Sequence, residues 1–330
     1  MLKTSLTAAL LASALAIAAP AAAQPTGDSP QGTSLLGQPL ITYANRNANV
    51  APVETLARAA RDAKAAFDAG MTADNATWYG RILFYQGYTK ESLAVYDAAL
   101  KRFPNSAKLL RHRAHRLFSL RQFDASIEAG LKADKLYQGQ PLEREKPGPD
   151  YFKGDPDIVQ FYLYYHLGQA YFAKRDYANA AKYFTKSGET SMFDRDLSNE
   201  TASTYWRYLS LARGGNMIEA QKLIDGYDVR LFHLHPTGGS DVYFDAIQLF
   251  KGNRAANTFF SNTDSGRAFA TADATAASTS YSLANYHLLM GNRDEAKQWL
   301  KRAMSVDAWS FFARIQAEAD WVALFPGEKP

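Results

Sequence analysis

The sequence predicts an all-α solenoid, a single unit in which helix–turn–helix pairs stack one upon another. Ala114 follows Gly80 by 34 residues, and both small residues stand at the same place in an amphipathic helical pattern. The tripeptide Gly-Asn-Arg begins at Gly252 and again 39 residues later at Gly291, each time between two helical segments. Fixed spacings of this size are typical of repeat proteins, because each pair needs its neighbours to bury its apolar face.

Composition agrees with a folded chain and excludes several kinds of site. With 47% hydrophobic and 21% charged residues, the 330-residue chain can bury a core, so disorder is not expected. The absence of cysteine excludes disulfides, thiolate metal sites and a lipid anchor attached to cysteine. The net charge of +4 is modest and the basic residues are not densely clustered, so we expect no nucleic-acid binding.

The N-terminus is typical of a secretory signal peptide. Lys3 precedes an apolar run at 6–19, Pro20 ends that run, and small residues follow up to Ala23. We expect cleavage near Ala23 and a periplasmic or secreted protein, since the apolar run is short for a membrane anchor. Residues 24–51 are rich in Pro, Gly, Ser and Asn, which predicts a flexible or surface-adhering leader.

The central part of the chain resembles the tetratricopeptide repeat, which pairs a Leu-Gly-x-x-Tyr helix with an Ala-x-x-x-Phe helix. The residues that match this pattern are Leu167, Gly168, Tyr171, Tyr177, Ala180 and Phe184. The resemblance implies a right-handed superhelix over residues 52–325, followed by a tail at 326–330. Clear repeats are predicted at 73–106, 107–140, 161–194 and 281–306, and degenerate ones at 200–227 and 240–262.

One insertion interrupts the repeats. Residues 138–157 hold several prolines and glycines, so no helix is expected there and the segment is predicted to be a loop at one edge. A loop of this length is either a tolerated insertion or a functional element such as a lid or a partner contact.

The C-terminal half is also similar to outer-membrane lipoprotein adaptors of the new-lipoprotein-I type. The similar segments are residues 204–209, Thr-Tyr-Trp-Arg-Tyr-Leu, and residues 244–252, Phe-Asp-Ala-Ile-Gln-Leu-Phe-Lys-Gly. Those adaptors bring periplasmic proteases and cell-wall hydrolases to their targets. This chain lacks their lipobox cysteine, so no lipid anchor is expected. The N-terminal half is similar to exported bacterial repeat proteins without an assigned function.

The resemblance to tetratricopeptide repeats implies which side chains line a concave groove. They form a basic and aromatic set: Arg81, Phe84, Tyr85, Lys108, Arg111, His115, Phe118, Tyr162, Tyr165, His166, Gln169 and Phe172. Carboxylate-clamp repeats use basic residues at similar places to hold the end of a peptide, although His115 stands where those proteins have asparagine. Arginine also suits phosphate, and aromatic faces suit peptide side chains or sugar rings. The alternative is that the basic run at 111–116 is a solvated helix face.

No catalytic motif is found, so the chain is predicted to be non-enzymatic, with no cofactor and no metal. G-x-S-x-G, H-E-x-x-H and P-loop sequences are all absent. The first hypothesis is a periplasmic scaffold or adaptor that holds a segment of an envelope protein or peptide in the groove. The alternative is a binding protein for an acidic small molecule or cell-wall glycan fragment, with the loop as lid. A continuous open groove would favour the adaptor, and a closed pocket under the loop would favour the small ligand.

Overall fold

The structure is a computed structural model that is mostly helical. It describes residues 27–42, 51–152, 158–194, 197–227, 241–259 and 274–330. The predicted signal peptide lies outside the described residues. So do the end of the predicted leader at 43–50, the end of the predicted loop at 153–157, and part of the degenerate repeat at 240–262.

The described residues form six helix–turn–helix pairs between one preceding and one following helix. The helices are α1 Val53–Ala69, α2 Ala73–Tyr85, α3 Thr89–Arg102, α4 Ala107–Ser119, α5 Phe123–Tyr137, α6 Val159–Ala173, α7 Tyr177–Asp194, α8 Leu197–Arg213, α9 Met217–Asp225, α10 Asp241–Phe250, α11 Ala256–Phe259, α12 Ala274–Leu289, α13 Arg293–Met304 and α14 Phe312–Leu324. The pairs run from α2 with α3 to α12 with α13. The predicted all-α, tetratricopeptide-like solenoid is confirmed.

The core of the described residues consists of several apolar clusters between the helices. Its largest cluster joins residues of α6, α7, α8, α12 and α14, and its biggest fully buried side chains include Trp206 and Trp321. Within the described ranges, none of the helices combines the length and the apolar character needed to cross a membrane.

Small residues let the two helices of a pair approach closely. A Cβ atom added to Gly168 would lie 2.7 Å from the ring of Phe184, so the phenylalanine rather than Ala180 faces this glycine. In the first pair, α2 with α3, a Cβ atom added to Gly80 would likewise lie 2.4 Å from the ring of Tyr96. In these two pairs, the aromatic residue of the second helix therefore lies directly on the glycine of the first.

Replacing Gly168 by alanine should destabilise the protein by about 1–3 kcal/mol, because the added methyl group overlaps the Phe184 ring in a closely packed core. Gly188 is a matched control in α7, since a Cβ there would meet Ser203 at an ordinary 3.5 Å. Gly188→Ala should be neutral or stabilising by up to about 1 kcal/mol, because alanine favours helix. Urea unfolding of both variants tests this, and equal effects would contradict the close contact.

The corner of each pair needs one residue in the left-handed region of backbone space. The residues with positive φ at these corners are Gly87, Arg121, Arg175, Gly215, Gly252 and Gly291. Glycine adopts this conformation without steric cost, whereas arginine does not. At Arg121, where φ is 63°, the side chain is buried and fully engaged in contacts described below, and these offset the strain.

The described part of the leader contains regular structure and contacts the repeats. Residues 27–42 contain an antiparallel hairpin of β1 Pro30–Thr33 and β2 Pro39–Ile41. The Gln31 amide oxygen accepts a hydrogen bond from the Lys90 backbone N–H at 2.8 Å, and Trp309 Nε1 donates to the Ile41 carbonyl at 2.7 Å. The hairpin is ordered because it connects the first repeat with the C-terminal end of the chain.

Helix α14 does more than cover the last repeat. Its residue Glu318 pairs with Arg121 at the corner of the second pair, and Gln316 Nε2 donates to the Gln169 carbonyl of α6 at 2.8 Å. Asp320 accepts hydrogen bonds from Arg213 of α8 and Tyr281 of α12. The last helix therefore lies across the inner sides of the central pairs and occupies part of the concave face.

Candidate functional site

The central residues of the site lie on the basic face of α4. Ser106 caps the helix by accepting a hydrogen bond from the Leu109 N–H, and the helix continues for 13 residues. Basic side chains at i, i+3, i+4 and i+7 share one face of a helix. That face carries Lys108, Arg111, His112 and His115.

The loop after α5 places two glutamates against this face. Glu143 lies 2.6 Å from the ammonium group of Lys108, which also contacts Asp74 of α2 at 3.0 Å. Glu145 contacts His112 Nε2 at 2.6 Å, one helical turn further along α4. The loop therefore contacts two successive turns of the helix. Glu145 is only 2% exposed, so the loop buries a charged group inside the solenoid.

The buried Glu145 carboxyl is held as a carboxylate. Burial by itself would raise its pKa, but the contacts with His112 and the positive charge of Arg111 hold the pKa well below its usual range. Arg111 Nη1 lies 3.9 Å from Glu145 Oε1, close enough for charge attraction but too far for a hydrogen bond.

Two buried arginines have more donors than the described residues can satisfy. Arg111 and Arg116 are 5% and 2% exposed, and Arg116 lies over the Phe84 ring at 3.5 Å. Burial lowers the pKa of Arg116 to about 10, so the guanidinium is still charged at neutral pH. Nε of Arg111 and both Nε and Nη1 of Arg116 have no hydrogen-bond acceptor within the described part of the chain. Buried charged donors left without acceptors cost free energy, which an acidic ligand would recover.

A cleft of about 550 Å³ leads from the surface toward this basic cluster. Helices α1 and α2 form one wall, with Asp74 and Arg81, and the loop forms the other, with Glu145 and Lys146. The buried hydroxyl of Thr77 also lines the cleft and has no partner among the described residues. The charged side chains on the walls are of both signs.

Aromatic side chains hold the loop over the cleft. Trp78 and Phe152 meet edge to face with centroids 5.1 Å apart, and Tyr85 stacks on Phe152 at 6.3 Å. Tyr151 donates a 2.5 Å hydrogen bond to Asp62 of α1. A Cβ atom on Gly148 would lie 2.6 Å from the Trp78 ring, so the backbone of the loop rests directly on the indole. The loop therefore covers the cleft as a lid.

A second group of predicted groove residues lies under α14. His115 and His166 stack with ring centroids 3.8 Å apart, and Phe312 of α14 packs on both. Burial first, and the positive groups nearby second, hold the pKa of both histidines well below the usual value, so both rings are neutral at pH 7. Histidine and aromatic side chains here form packing contacts within the chain.

The structure thus divides the twelve predicted groove residues into two sets of six. The first set surrounds the cleft and the loop: Arg81, Phe84, Tyr85, Lys108, Arg111 and Tyr162. The second set is covered by α14 or lies in the core: His115, Phe118, Tyr165, His166, Gln169 and Phe172. The second set does not line an open groove, because α14 joins the core in front of it.

Sequence reasoning missed the acidic half of the site. Glu143, Glu145 and Asp74 all contact the predicted basic residues. The signal available was the alternation in Leu-Glu-Arg-Glu at 142–145, in which every second residue is acidic within a loop that resembled a lid. Alternation of this kind places side chains on one face of an extended segment. A metal site is not apparent within the described ranges, where no three His, Asp or Glu side chains are grouped suitably.

Comparisons with known proteins agree with the fold. Residues 161–187 and 277–308 match the tetratricopeptide repeat family, so the chain contains tetratricopeptide repeats at two of the predicted places. A similar solved structure is a tetratricopeptide repeat protein from Parabacteroides merdae, 15% identical, covering 80% of this chain and 93% of its own length with a TM-score of 0.45. No curated protein matches the chain. Tetratricopeptide repeats generally mediate protein–protein interaction and are typically not enzymes.

Proposed function

We propose that this protein is an exported, non-enzymatic adaptor that binds an acidic segment of an envelope protein at the basic face of α4. One observation carries the proposal. Within the described residues, Glu145 is the only carboxylate in contact with the buried guanidinium group of Arg111, none contacts that of Arg116, and donors of both arginines remain unsatisfied. Positive groups in excess inside a protein are stabilised by an anionic partner.

The class of partner follows from the fold and from the N-terminal sequence. Repeats of this type generally mediate protein–protein interaction. The signal-like residues 1–23 support a partner in the periplasm, where the adaptors similar to the C-terminal half also act. The bound segment reaches Arg111 through the cleft beside Arg81, since Glu145, which lies 3.9 Å from Arg111, also lines that cleft.

A second candidate is a binding protein for an acidic small molecule or cell-wall glycan fragment. The covered cleft favours it, because about 550 Å³ is within the size range of small-ligand sites. The aromatic side chains Trp78 and Tyr85 beside the cleft suit a sugar ring or another flat group.

Affinity capture from a periplasmic extract tests the proposal, with the chain lacking residues 1–23 as bait. A matched pair of double variants is used, Arg81→Gln/Arg111→Gln at the site and Lys101→Gln/Arg102→Gln on the exposed surface of α3. Both remove two positive charges. We expect a captured protein that is lost at least tenfold with the site variant and retained with the surface variant, since buried charge pairs contribute about 2–5 kcal/mol to binding.

The outcomes are distinct. Equal capture by both variants would refute binding at α4. The second candidate would be favoured over the adaptor by a different result. In that case no protein is captured, and native mass spectrometry finds an acidic molecule on the wild type and not on the site variant.

A further inference from the structure

The loop segment at 141–146 lies in the site as an extended peptide would. Its side chains alternate, with Glu143 and Glu145 directed to α4, and Leu142, Arg144 and Lys146 exposed. An alternation with period two is that of a β-strand, and Arg144 indeed forms an antiparallel bridge with Ile158. The segment is therefore extended and presents one acidic face.

One buried side chain holds the backbone of this segment. Gln160 of α6 is 2% exposed, and its amide oxygen accepts from the Glu143 N–H at 2.9 Å. The amide nitrogen of the same side chain donates to the Pro141 carbonyl at 2.8 Å. These bonds involve only the main chain of the segment, so Gln160 can hold any extended peptide in this register.

Two side chains of α4 face the two acidic side chains, Lys108 as an ammonium group and His112 as a neutral ring, since burial lowers the pKa of His112 to about 3. Lys108 contacts Glu143 at 2.6 Å, and His112 contacts Glu145 at 2.6 Å, with Arg111 at 3.9 Å. Lys108 and His112 are one helical turn apart, about 6 Å, which is also about the distance between alternate residues of a strand. The face of α4 is therefore spaced for two carboxylates that are separated by one residue.

We propose that residues 141–146 are a built-in occupant of a peptide site on α4, and that a partner binds there by replacing them with its own extended Glu-x-Glu segment. The inference rests on the proposed function and adds the pattern that is recognised and the step that controls access. Arg111 lies 3.9 Å from Glu145, too far for a hydrogen bond, and its Nε has no acceptor within the described residues. The loop therefore does not satisfy all the donors of the site. A partner segment that also engages Arg111 competes with the loop.

A partner can bind only when the loop has left the site. Its apparent affinity is therefore its intrinsic affinity multiplied by the fraction of molecules in which the site is open. The probe is a fluorescent peptide with the sequence of residues 139–148, measured by fluorescence anisotropy against the chain lacking residues 1–23. The protein variant Glu143→Gln/Glu145→Gln removes the charges of the occupant and leaves α4 unchanged. It should bind the probe about tenfold or more tightly than the wild type, and a probe with glutamine at both glutamates should not bind.

A second variant opens the loop without altering the occupant. Gly148→Ala places a Cβ against the Trp78 ring, so it should displace the loop and also tighten binding. Lys108→Gln/Arg111→Gln should abolish binding by either opened protein. Circular dichroism and urea unfolding establish that each variant is folded.

Equal affinity of the wild type and both opened variants would overturn the built-in occupant. Failure of the probe to bind any of them, or equal binding of the probe with glutamines, would overturn the Glu-x-Glu pattern. Either failure is distinguishable from failure of the proposed function, since capture dependent on Arg81 and Arg111 would persist. Loss of that capture would refute the proposed function itself.

Discussion

Replacing Glu318 by leucine should lower the free energy of unfolding by about 3–5 kcal/mol, because it leaves the buried Arg121 guanidinium without its carboxylate. Arg121 donates to both oxygens of Glu318, with Nε to Oε2 at 2.9 Å and Nη2 to Oε1 at 2.6 Å. The side chains are 2% and 0% exposed, so water cannot replace the lost partner. Urea unfolding followed by circular dichroism measures the change.

Two further variants separate the ion pair from general effects of mutation. The double variant Arg121→Leu/Glu318→Leu should lose less stability than the sum of the single variants, since no buried charge of the pair is then left alone. Glu328→Leu breaks the exposed contact with Lys297 and should cost less than about 1 kcal/mol. If Glu318→Leu is as stable as wild type, the contact between α14 and the second helix pair is not what secures the C-terminal helix.

Replacing Leu40 by alanine should cost about 2–5 kcal/mol, which is the usual effect of removing a large side chain from a closely packed interior. Leu40 is 2% exposed and belongs to the hairpin that the composition of the leader did not predict. The loss should appear in the main unfolding transition, because the hairpin contacts both the first repeat and the C-terminal end.

The neighbouring residue supplies the control. Ile41 is 38% exposed, and only its main-chain carbonyl contacts Trp309. Ile41→Ala should therefore change the free energy of unfolding by less than about 0.5 kcal/mol. Similar effects at Leu40 and Ile41 would mean that the hairpin does not pack against the repeats in solution.

The candidate site was predicted only in its basic half. Lys108 and Arg111 were named because they stand at groove positions of the tetratricopeptide repeat, which the resemblance implies from the sequence. The carboxylates that face them are distant along the chain: Asp74 lies 34 residues before Lys108, and Glu145 lies 33 residues after His112. Which acidic residues reach a basic face depends on how a loop crosses the helices, and local patterns carry no information on that crossing.

The sequence by itself determined the helix pairs and the basic face of α4. These depend on residues within one or two turns of each other or within one repeat, so helical periodicity records them. Only the tertiary structure decided that α14 packs against the central pairs, that the leader hairpin contacts both the first repeat and the C-terminal end, and that the loop buries Glu145. The Arg121–Glu318 contact joins residues 197 positions apart. No local pattern records a contact over that distance, because it depends on how successive pairs stack.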